Sequence, residues 1–409
     1  MDLREQRGLE IATRRPITQK SAGIWLVPSQ SGPGKYTVDV TKEDPICSCP
    51  DFELRNKPCK HVFALAYFIV REKNKDGSVT ETHTVTAVKK TYPQNWPAYN
   101  AAQTNEQDRF LELLNALCSG VSQPPQQRRG RPSLPLSDAI FAAAFKVYST
   151  VSGRRFMSDL RGAHARGLIS KVPHYNSIFN YLEDEGITPI LRNLITQSSL
   201  PLKSVEVDFA VDSSGFTTSR FSRWYDHKYG RLMQAHHWVK AHIMCGVKTN
   251  IITAIEIGEK NAGDSPFFAP MVATTAKHFA ISEVSADKAY SGDKNTNAVM
   301  AAGGTAFIAF RGNTTAKTGS VMWQQMFHFF MFKREEFLQH YHKRSNVEST
   351  FSMMKRKFGD SLRSKTDTAM INETLCKVLC HNLVVLIHEM QELGIEPIFW
   401  AGREIVGQA

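Results

Sequence analysis

The chain is poor in cysteine and has no uninterrupted apolar run of membrane-spanning length. Seven cysteines in 409 residues are too few and too unevenly spread for a secreted disulfide framework. The most apolar stretch, residues 375–386, still contains Lys377, His381 and Asn382, whereas a span needs about 18 apolar residues with few charges. The first ten residues carry acids where a signal peptide has its apolar core. We therefore expect a cytoplasmic protein without a membrane partner.

Acidic residues are the minority among the charges. The 39 Asp and Glu face 50 Lys and Arg, which leaves a net charge of +11 and a pI near 9.2. Most of the excess lies in two segments, since residues 125–171 carry a net +7 and residues 331–365 a net +5. Clustered basic charge is typical of phosphate contacts with a nucleic acid, although each cluster also fits an ordinary solvated surface.

The first domain, residues 1–90, contains a compact set of metal-ligand residues. Ile46 to His61 read ICSCPDFELRNKPCKH, in which one residue separates the members of each pair and nine separate the pairs; the four candidate ligands are Cys47, Cys49, Cys59 and His61. Three thiolates and one imidazole suit a closed tetrahedral zinc site. The alternative is two core cysteines and a surface histidine. With β-like runs upstream and a helix predicted from His61, the unit resembles the ββα zinc finger known as SWIM, a module that binds DNA or protein.

We interpret residues 91–135 as a linker. Its last part, VSQPPQQRRGRPSLP, is rich in Pro, Gln and Arg and has two aliphatic residues. The Arg129-Gly130-Arg131-Pro132 sequence within it resembles an AT-hook, in which arginines follow the negative potential of a narrow minor groove. A plain basic linker is an equally good interpretation of these four residues.

Residues 136–200 predict a helical segment. Apolar residues recur at helical spacing over 138–150 and 156–166, and a third apolar set follows a turn at 167–173. Three short helices with Arg154, Arg155, Arg161 and Arg166 fit a helix-turn-helix DNA reader. A helical bundle packed on the following domain would give the same pattern.

Residues 201–395 predict a mixed α/β domain, followed by a tail at 396–409. The run Val205 to Asp212 alternates as a strand and is followed by Ser-Ser-Gly, a predicted turn. Further strands and helices follow in the order of an RNase-H-like fold, with acids after the first and fourth strands and on the last helix of that order. These acids are Asp212, Asp287 and Glu348. Asp208 competes with Asp212 as the first acid. Asp287 could be only a helix cap, and Asp293 is a surface competitor for its place.

The sequence YHKRSNVESTFSMMK surrounds Glu348. Spacings of three, four and seven place Tyr341, Arg344, Glu348 and Lys355 on one helical stripe. A neighbouring stripe of Val347, Phe351 and Met354 is apolar and can pack on the sheet. A carboxylate between these cations could hold a metal while the cations hold phosphates. Further on, Cys376, Cys380 and His381 could form a second metal site, but their helical spacing favours a core position.

The Tyr-x2-Arg-x3-Glu-x6-Lys pattern, with DSSGF at Asp212 and ADKAY at Asp287, resembles the DDE transposases of bacterial insertion sequences over about residues 139–394. The resemblance implies an RNase-H-like catalytic domain with Asp212, Asp287 and Glu348 as ligands of two Mg²⁺ or Mn²⁺ ions. It implies cleavage of DNA at element ends and transfer of the freed 3′-OH to target DNA. Tyr341, Arg344 and Lys355 would contact DNA, as would Arg129 and Arg131. A homodimer in the DNA complex and a nucleoid-associated location go with this activity.

Two alternative functions fit the same residues. A non-catalytic zinc-finger regulator derived from a transposase would bind DNA without cleaving it, but it would not need the acids or the Arg and Lys beside them. A nuclease of the RNase-H-like fold without strand transfer would use every residue named above.

Overall fold

Two units, Met1–Gln94 and Asn95–Ala409, make up the chain in its computed structural model. The structure describes residues 3–14, 16–30, 32, 34–42, 44–73, 79–83, 95–123, 134–218, 238–258, 262–312, 314–315 and 319–400. The AT-hook-like residues Arg129 and Arg131 lie outside the described residues.

An antiparallel sheet with the strand order β1-β2-β3-β4 forms the centre of the first unit. Its strands are β1 (Thr18–Ser21), β2 (Ile24–Pro28), β3 (Lys35–Asp39) and β4 (Ile46–Cys47). The helices are α1 (Leu3–Arg14), α2 (Pro50–Arg55) and α3 (Lys60–Phe68), and a hairpin of β5 (Ile69–Lys73) and β6 (Val79–His83) follows. Trp25 and Val38 from the sheet, Leu65 from α3 and Ile11 from α1 are buried together. The two strands and the helix of the predicted ββα finger are β2, β3 and α3.

Among the described residues, the second unit begins with six helices. They are α4 (Trp96–Thr104), α5 (Glu106–Cys118), α6 (Leu136–Ser149), α7 (Gly153–Ala165), α8 (Tyr175–Leu182) and α9 (Ile187–Ser199). The predicted linker at 91–135 is therefore wrong in its first part, where α4 and α5 form. The reason is that the polar composition is confined to residues 121–135, whereas Phe110, Leu114 and Leu117 of α5 repeat at helical spacing and are fully buried.

A five-stranded mixed sheet follows. Its strands are β7 (Asp208–Thr217), β8 (Trp238–Gly246), β9 (Ile252–Gly258), β10 (Glu283–Ala286) and β11 (Thr305–Ile308). Their order is β11-β10-β7-β8-β9, with β7, β8 and β9 antiparallel to one another and β10 and β11 parallel to β7. The remaining helices are α10 (Ser265–Ala276), α11 (Asp293–Ala301), α12 (Val321–Phe332), α13 (Arg334–Tyr341), α14 (Ser345–Phe358) and α15 (Asp367–Glu392). This is the RNase-H-like arrangement predicted from the sequence.

Both faces of this sheet are covered, and each contributes to a different core. Ala210 of β7 packs with α6, α9, α14 and α15, where Ile140, Leu194, Phe351 and Leu379 are buried. Phe209 and Val211 face the other way and pack with α10 and α11. The helical segment at 136–200 thus shares one core with the sheet, as the bundle interpretation expected.

Strand β7 differs from the predicted strand at both ends. The predicted turn at 213–215 is wrong, because Ser213, Ser214 and Gly215 continue the ladder with β8 as far as Thr217. At the start, Val207 is 43 % exposed and Glu206 is buried. The Glu206 carboxylate accepts hydrogen bonds from the backbone amides of Lys248 and Thr249, and these bonds compensate for its burial.

The helical region around Glu348 is not one continuous helix. A 3₁₀ turn at His342–Arg344 separates α13 from α14, so Tyr341 does not share a stripe with Glu348 and Lys355. Val347, Phe351 and Met354 of α14 are buried as predicted. Helix α15 is long and apolar enough to cross a membrane, but 94 % of its most apolar window is buried within the protein.

Candidate active site and zinc site

The ligand atoms of Cys47, Cys49, Cys59 and His61 lie within 4.8 Å of one another, and all four residues are buried. Cys47 ends β4, Cys49 is the N-cap of α2, and Cys59 immediately precedes α3, whose second residue is His61. The local chain explains the convergence, since α2 and the turn after it carry the second pair of ligands back to the first. Among the described residues this is the only such group of three or more His, Cys, Asp and Glu ligands.

The nitrogen facing the sulfurs is His61 Nδ1. It lies 3.9 Å from Cys47 Sγ and 3.8 Å from Cys59 Sγ. Contacts with Cys47 and with the His61 ring lower the pKa of the Cys59 thiol. Three sulfurs and one imidazole nitrogen at this spacing fit tetrahedral Zn²⁺.

The acids Asp212 and Asp287 come together through the register of two parallel strands. Ala286 of β10 pairs with Val211 of β7, so Asp287 and Asp212 follow at the same level of the sheet. Asp212 remains within the β7 ladder, whereas Asp287 is the first residue beyond β10. The Asp287 carboxylate also accepts a hydrogen bond from the amide of Ala289, so the helix-cap interpretation of this residue is correct as well.

Arg344 connects the first acid to the third. Its Nη1 lies 2.9 Å from Asp212 Oδ2, and its Nη2 lies 2.6 Å from Glu348 Oε1 in the first turn of α14. Burial raises the pKa of Asp212, the amide of Ser213 and the charge of Arg344 lower it, and the charges of Asp287 and Glu348 raise it further. The three carboxylates therefore interact electrostatically, although they do not yet converge on one point.

An open groove of about 530 Å³ is lined by Asp212, Glu348 and Lys355. Lys355 Nζ donates a hydrogen bond to Ser214 Oγ at 2.7 Å and lies 5.4 Å from the ring centroid of Phe216. Both contacts hold the ammonium at the wall of the groove. Tyr341 packs instead against Phe337 and is not among the groove-lining residues.

The competing acids have other partners. Asp208 lies at the opposite end of the paired strands, beside Glu283, and Lys343 Nζ bridges these two carboxylates at 2.7 and 2.8 Å. Asp293 accepts hydrogen bonds from the amide and the hydroxyl of Ser320, the N-cap residue of α12.

The cysteines and the histidine of α15 are core residues. Cys376, Cys380 and His381 are all buried. Cys380 Sγ donates to the carbonyl of Ala144, and His381 Nε2 lies 3.0 Å from the carbonyl oxygen of Asn250. Their ligand atoms do not converge with those of other metal-binding residues in the described part of the chain.

Sequence reasoning missed a buried histidine behind the acids. His242 of β8 pairs with Ser213, the neighbour of Asp212, and its Nδ1 lies 3.5 Å from the Tyr290 hydroxyl. Burial lowers the pKa of His242 to about 4, so its ring is neutral at pH 7. The imidazole stacks on the ring of Phe267, and its Nδ1 also lies 3.8 Å from Asp264 Oδ1. A lone His within the apolar run WVKAHIMCG was the available signal.

The strand order of the second unit and the level of its two aspartates define an RNase-H-like domain. Residues 203–383 match the family model described as Transposase DDE domain, and residues 36–69 match the model described as SWIM zinc finger. The chain thus carries a transposase DDE domain behind an N-terminal SWIM zinc finger.

No curated protein matches the chain. A solved structure described as a piggyBac transposase synaptic complex with hairpin DNA is similar over 74 % of this chain and 76 % of that chain, at 11 % identity and a TM-score of 0.33. At that TM-score the likeness supports no conclusion about this protein.

Proposed function

We propose that this protein is a DDE transposase that binds the ends of a DNA element, hydrolyses a phosphodiester bond and joins the freed 3′-OH to target DNA. The observation that carries the proposal is the placement of three acids inside a transposase DDE domain. Asp212 and Asp287 lie at one level of neighbouring parallel strands, and Arg344 links Asp212 to Glu348. The zinc finger in front of this domain is a structural element with one Zn²⁺.

The donor set fits hard divalent cations. Asp212, Asp287 and Glu348 offer carboxylate oxygens, which Mg²⁺ and Mn²⁺ prefer, and no sulfur ligand lines the groove. When bound, two such ions supply charge stabilisation for the attacking and leaving oxygens of a phosphodiester. The Asp287 carboxylate is oriented for this role by its hydrogen bond to the Ala289 amide.

The cations around the groove have two tasks. Arg344 neutralises Asp212 and Glu348 while they are without metal, which reduces the repulsion that would otherwise separate them. Lys355 lies at the groove wall, where its ammonium can contact a DNA phosphate without competing for a metal. Tyr341, Arg129 and Arg131 complete the proposed DNA contacts.

The helical segment also presents a basic surface to which double-stranded DNA can bind. Arg154, Arg155, Arg161 and Lys171 are exposed on α7 and on the turn after it. Arg154 lies over the ring of Tyr175, with 5.3 Å between its Cζ and the ring centroid, so α7 and α8 together present this charge. A dimer on paired element ends and a nucleoid location follow from the same proposal.

Replacing Glu348 tests this function. The DNA that flanks the gene, if it contains inverted repeats, supplies the substrate. Glu348→Gln keeps the side-chain size but removes one charge, so it should bind this DNA as tightly as the parent and lose cleavage and strand transfer on the order of 10³-fold.

Glu335→Gln is the matched control, because Glu335 is exposed on α13 outside the groove. Cleavage at the parental rate by Glu348→Gln would overturn the assignment. Binding without cleavage by the parent protein in Mg²⁺ and Mn²⁺ would indicate the regulator. Cleavage without joining would indicate the nuclease.

A further inference from the structure

A second polar cavity lies outside the open groove of Asp212, Glu348 and Lys355, which is called the acidic groove below. It has a volume of about 280 Å³ and is bounded by the end of α6, the start of α7 and the segment 359–364. Its polar lining includes Lys146, Ser152, Arg363, Glu373 and Lys377. None of the three acids of the proposed active site lines it, so it is a separate feature of the domain.

Lys146 is the unusual residue of this cavity. It belongs to the buried helix α6 and is 6 % exposed, yet its ammonium has no hydrogen-bond or ion-pair partner among the described residues. Burial lowers its pKa to about 8. An ammonium in a largely buried side chain is costly where no partner offsets its charge, and an apolar residue at this position would avoid the cost. Lys146 Nζ is not among the fully enclosed, unpartnered polar atoms of the described residues, so it keeps access to the cavity that Lys146 lines. An ammonium that lines a cavity in this state can be stabilised by an anionic ligand.

The charges around Lys146 favour an anion. Lys377 and Arg363 add two positive charges to the lining, and Glu373 is the one acid in it. The Glu373 carboxylate already accepts hydrogen bonds from the amides of Arg363 and Ser364, at 3.0 and 2.8 Å. The four charged groups of the wall therefore leave a net charge of +2.

The start of α7 contributes hydrogen-bond donors to the same cavity. Ser152 and Gly153 both line it, and Ser152 is the N-cap of this 13-residue helix. The first amides of a helix have no intrahelical acceptor and carry the positive end of the helix dipole. Together with the unpartnered Lys146, this is the arrangement that binds phosphate at helix N-termini.

We propose that this cavity binds a phosphate group, and that the group is a backbone phosphate of a DNA strand that passes through the acidic groove. The cavities are continuous with the groove, which supports DNA as the source of the bound phosphate. A neighbouring cavity of about 560 Å³ shares Ser361 and Arg363 with this one and shares Asp360 with the groove of Asp212 and Glu348. The DNA source rests on the proposed function, whereas binding of phosphate does not.

Inorganic phosphate and duplex DNA are the two probes. The full chain, with its structural zinc, is measured without added Mg²⁺ or Mn²⁺, so no metal-dependent step enters, and a failure here is separable from a failure of the Glu348→Gln experiment. Lys146→Met should raise the Kd for inorganic phosphate at least tenfold in calorimetry, and Lys146→Arg should restore it to within about threefold. For duplex DNA, Lys146→Met should raise the Kd about tenfold and reduce the slope of log K against log salt by about 0.9.

Two variants guard against misinterpretation. Lys277→Met removes an exposed lysine elsewhere and should change neither Kd. Arg363→Gln alters an exposed residue of the same cavity. It should weaken phosphate binding as well, and it tests the site independently of any effect that Lys146→Met has on folding. Loss of phosphate binding with unchanged DNA affinity and salt slope would overturn the DNA source and assign the site to free phosphate. Unchanged phosphate binding in both cavity variants would overturn the proposal.

Discussion

The candidate zinc ligands and the three proposed active-site acids are assembled in opposite ways. The four zinc ligands come from fifteen consecutive residues and already converge within 4.8 Å. The three acids come from residues 212, 287 and 348, and Arg344 lies between two of them. A closed site of soft ligands holds a metal for stability, whereas an open site of hard ligands, balanced by a cation, can admit metal and substrate together.

The largest effect is expected at the zinc site. Cys59→Ser removes one of four ligands, and since structural zinc contributes on the order of 10 kcal/mol to folding, the N-terminal unit should lose both metal and folded structure. Zinc analysis should give about one ion per parent chain and almost none in the variant. Cys376→Ser, in the core of α15, is the control and should retain zinc. Full zinc in Cys59→Ser would remove the assignment.

Asp212 and Asp208 both lie on β7, and comparing their variants tests which of the two carboxylates is a metal ligand. Asp212→Asn should reduce DNA cleavage on the order of 10³-fold, because a metal ligand is lost. Asp208→Asn breaks a partly exposed ion pair with Lys343 and should cost less than tenfold. The ratio of initial cleavage rates on a denaturing gel measures the difference. The reverse ranking would make Asp208 the metal ligand.

Arg344 pairs with two of the three acids and therefore tests whether the open site is occupied by a cation of the protein itself before metal binds. Arg344→Gln removes the cation that competes for Asp212 and Glu348, so Mn²⁺ should bind the metal-free protein several-fold more tightly. Titration followed by electron paramagnetic resonance measures this affinity. Lys343→Gln, beside Asp208, should leave it unchanged. Weaker Mn²⁺ binding in Arg344→Gln would show that holding the two acids together, and not competition with the metal, is the larger effect of the guanidinium.

The smallest effect concerns stability and pH. The pKa of Lys146 is about 8 in the folded protein, against 10.5 for an exposed lysine. The folded state therefore binds this proton less tightly, and the cost is complete below pH 8 and declines between pH 8 and 10.5. Lys146→Met should be more stable than the parent at pH 7, by at most about 3 kcal/mol, and this gain should shrink at pH 9. Urea unfolding at both pH values measures it; a gain that grows with pH would contradict the assigned shift.

The same difference in assembly explains what sequence reasoning could predict. Local spacing was enough for Cys47 to His61, because the ligands and the turn between them are one segment. The acids needed the strand order, which the alternation of apolar residues supplied. Residues that act through distant packing left weaker signals: His242 is interpretable only once β8 is paired with β7, and Lys146 only once the cavity around it is closed.

Tertiary pairing also overrode two local predictions. Ser213, Ser214 and Gly215 have turn-forming composition, yet β8 is long enough to pair with all three. In the supposed linker, the apolar stripe of α5 packs into the same core as α15, a contact between residues far apart in sequence. The helical segment was open to two interpretations because its apolar spacing is the same whether it packs on the sheet or stands alone.

The core shared by the helical layer and the sheet limits how this chain can be divided. Ile140 of α6 and Leu194 of α9 are buried against the same helix, α15, that covers one face of the sheet. A fragment that began near residue 201 would expose this face to water and be prone to aggregation. The smallest transferable module that contains the acids therefore begins near residue 95. An exchange of segments between this chain and a related one would have to leave α6 and α9 with the sheet.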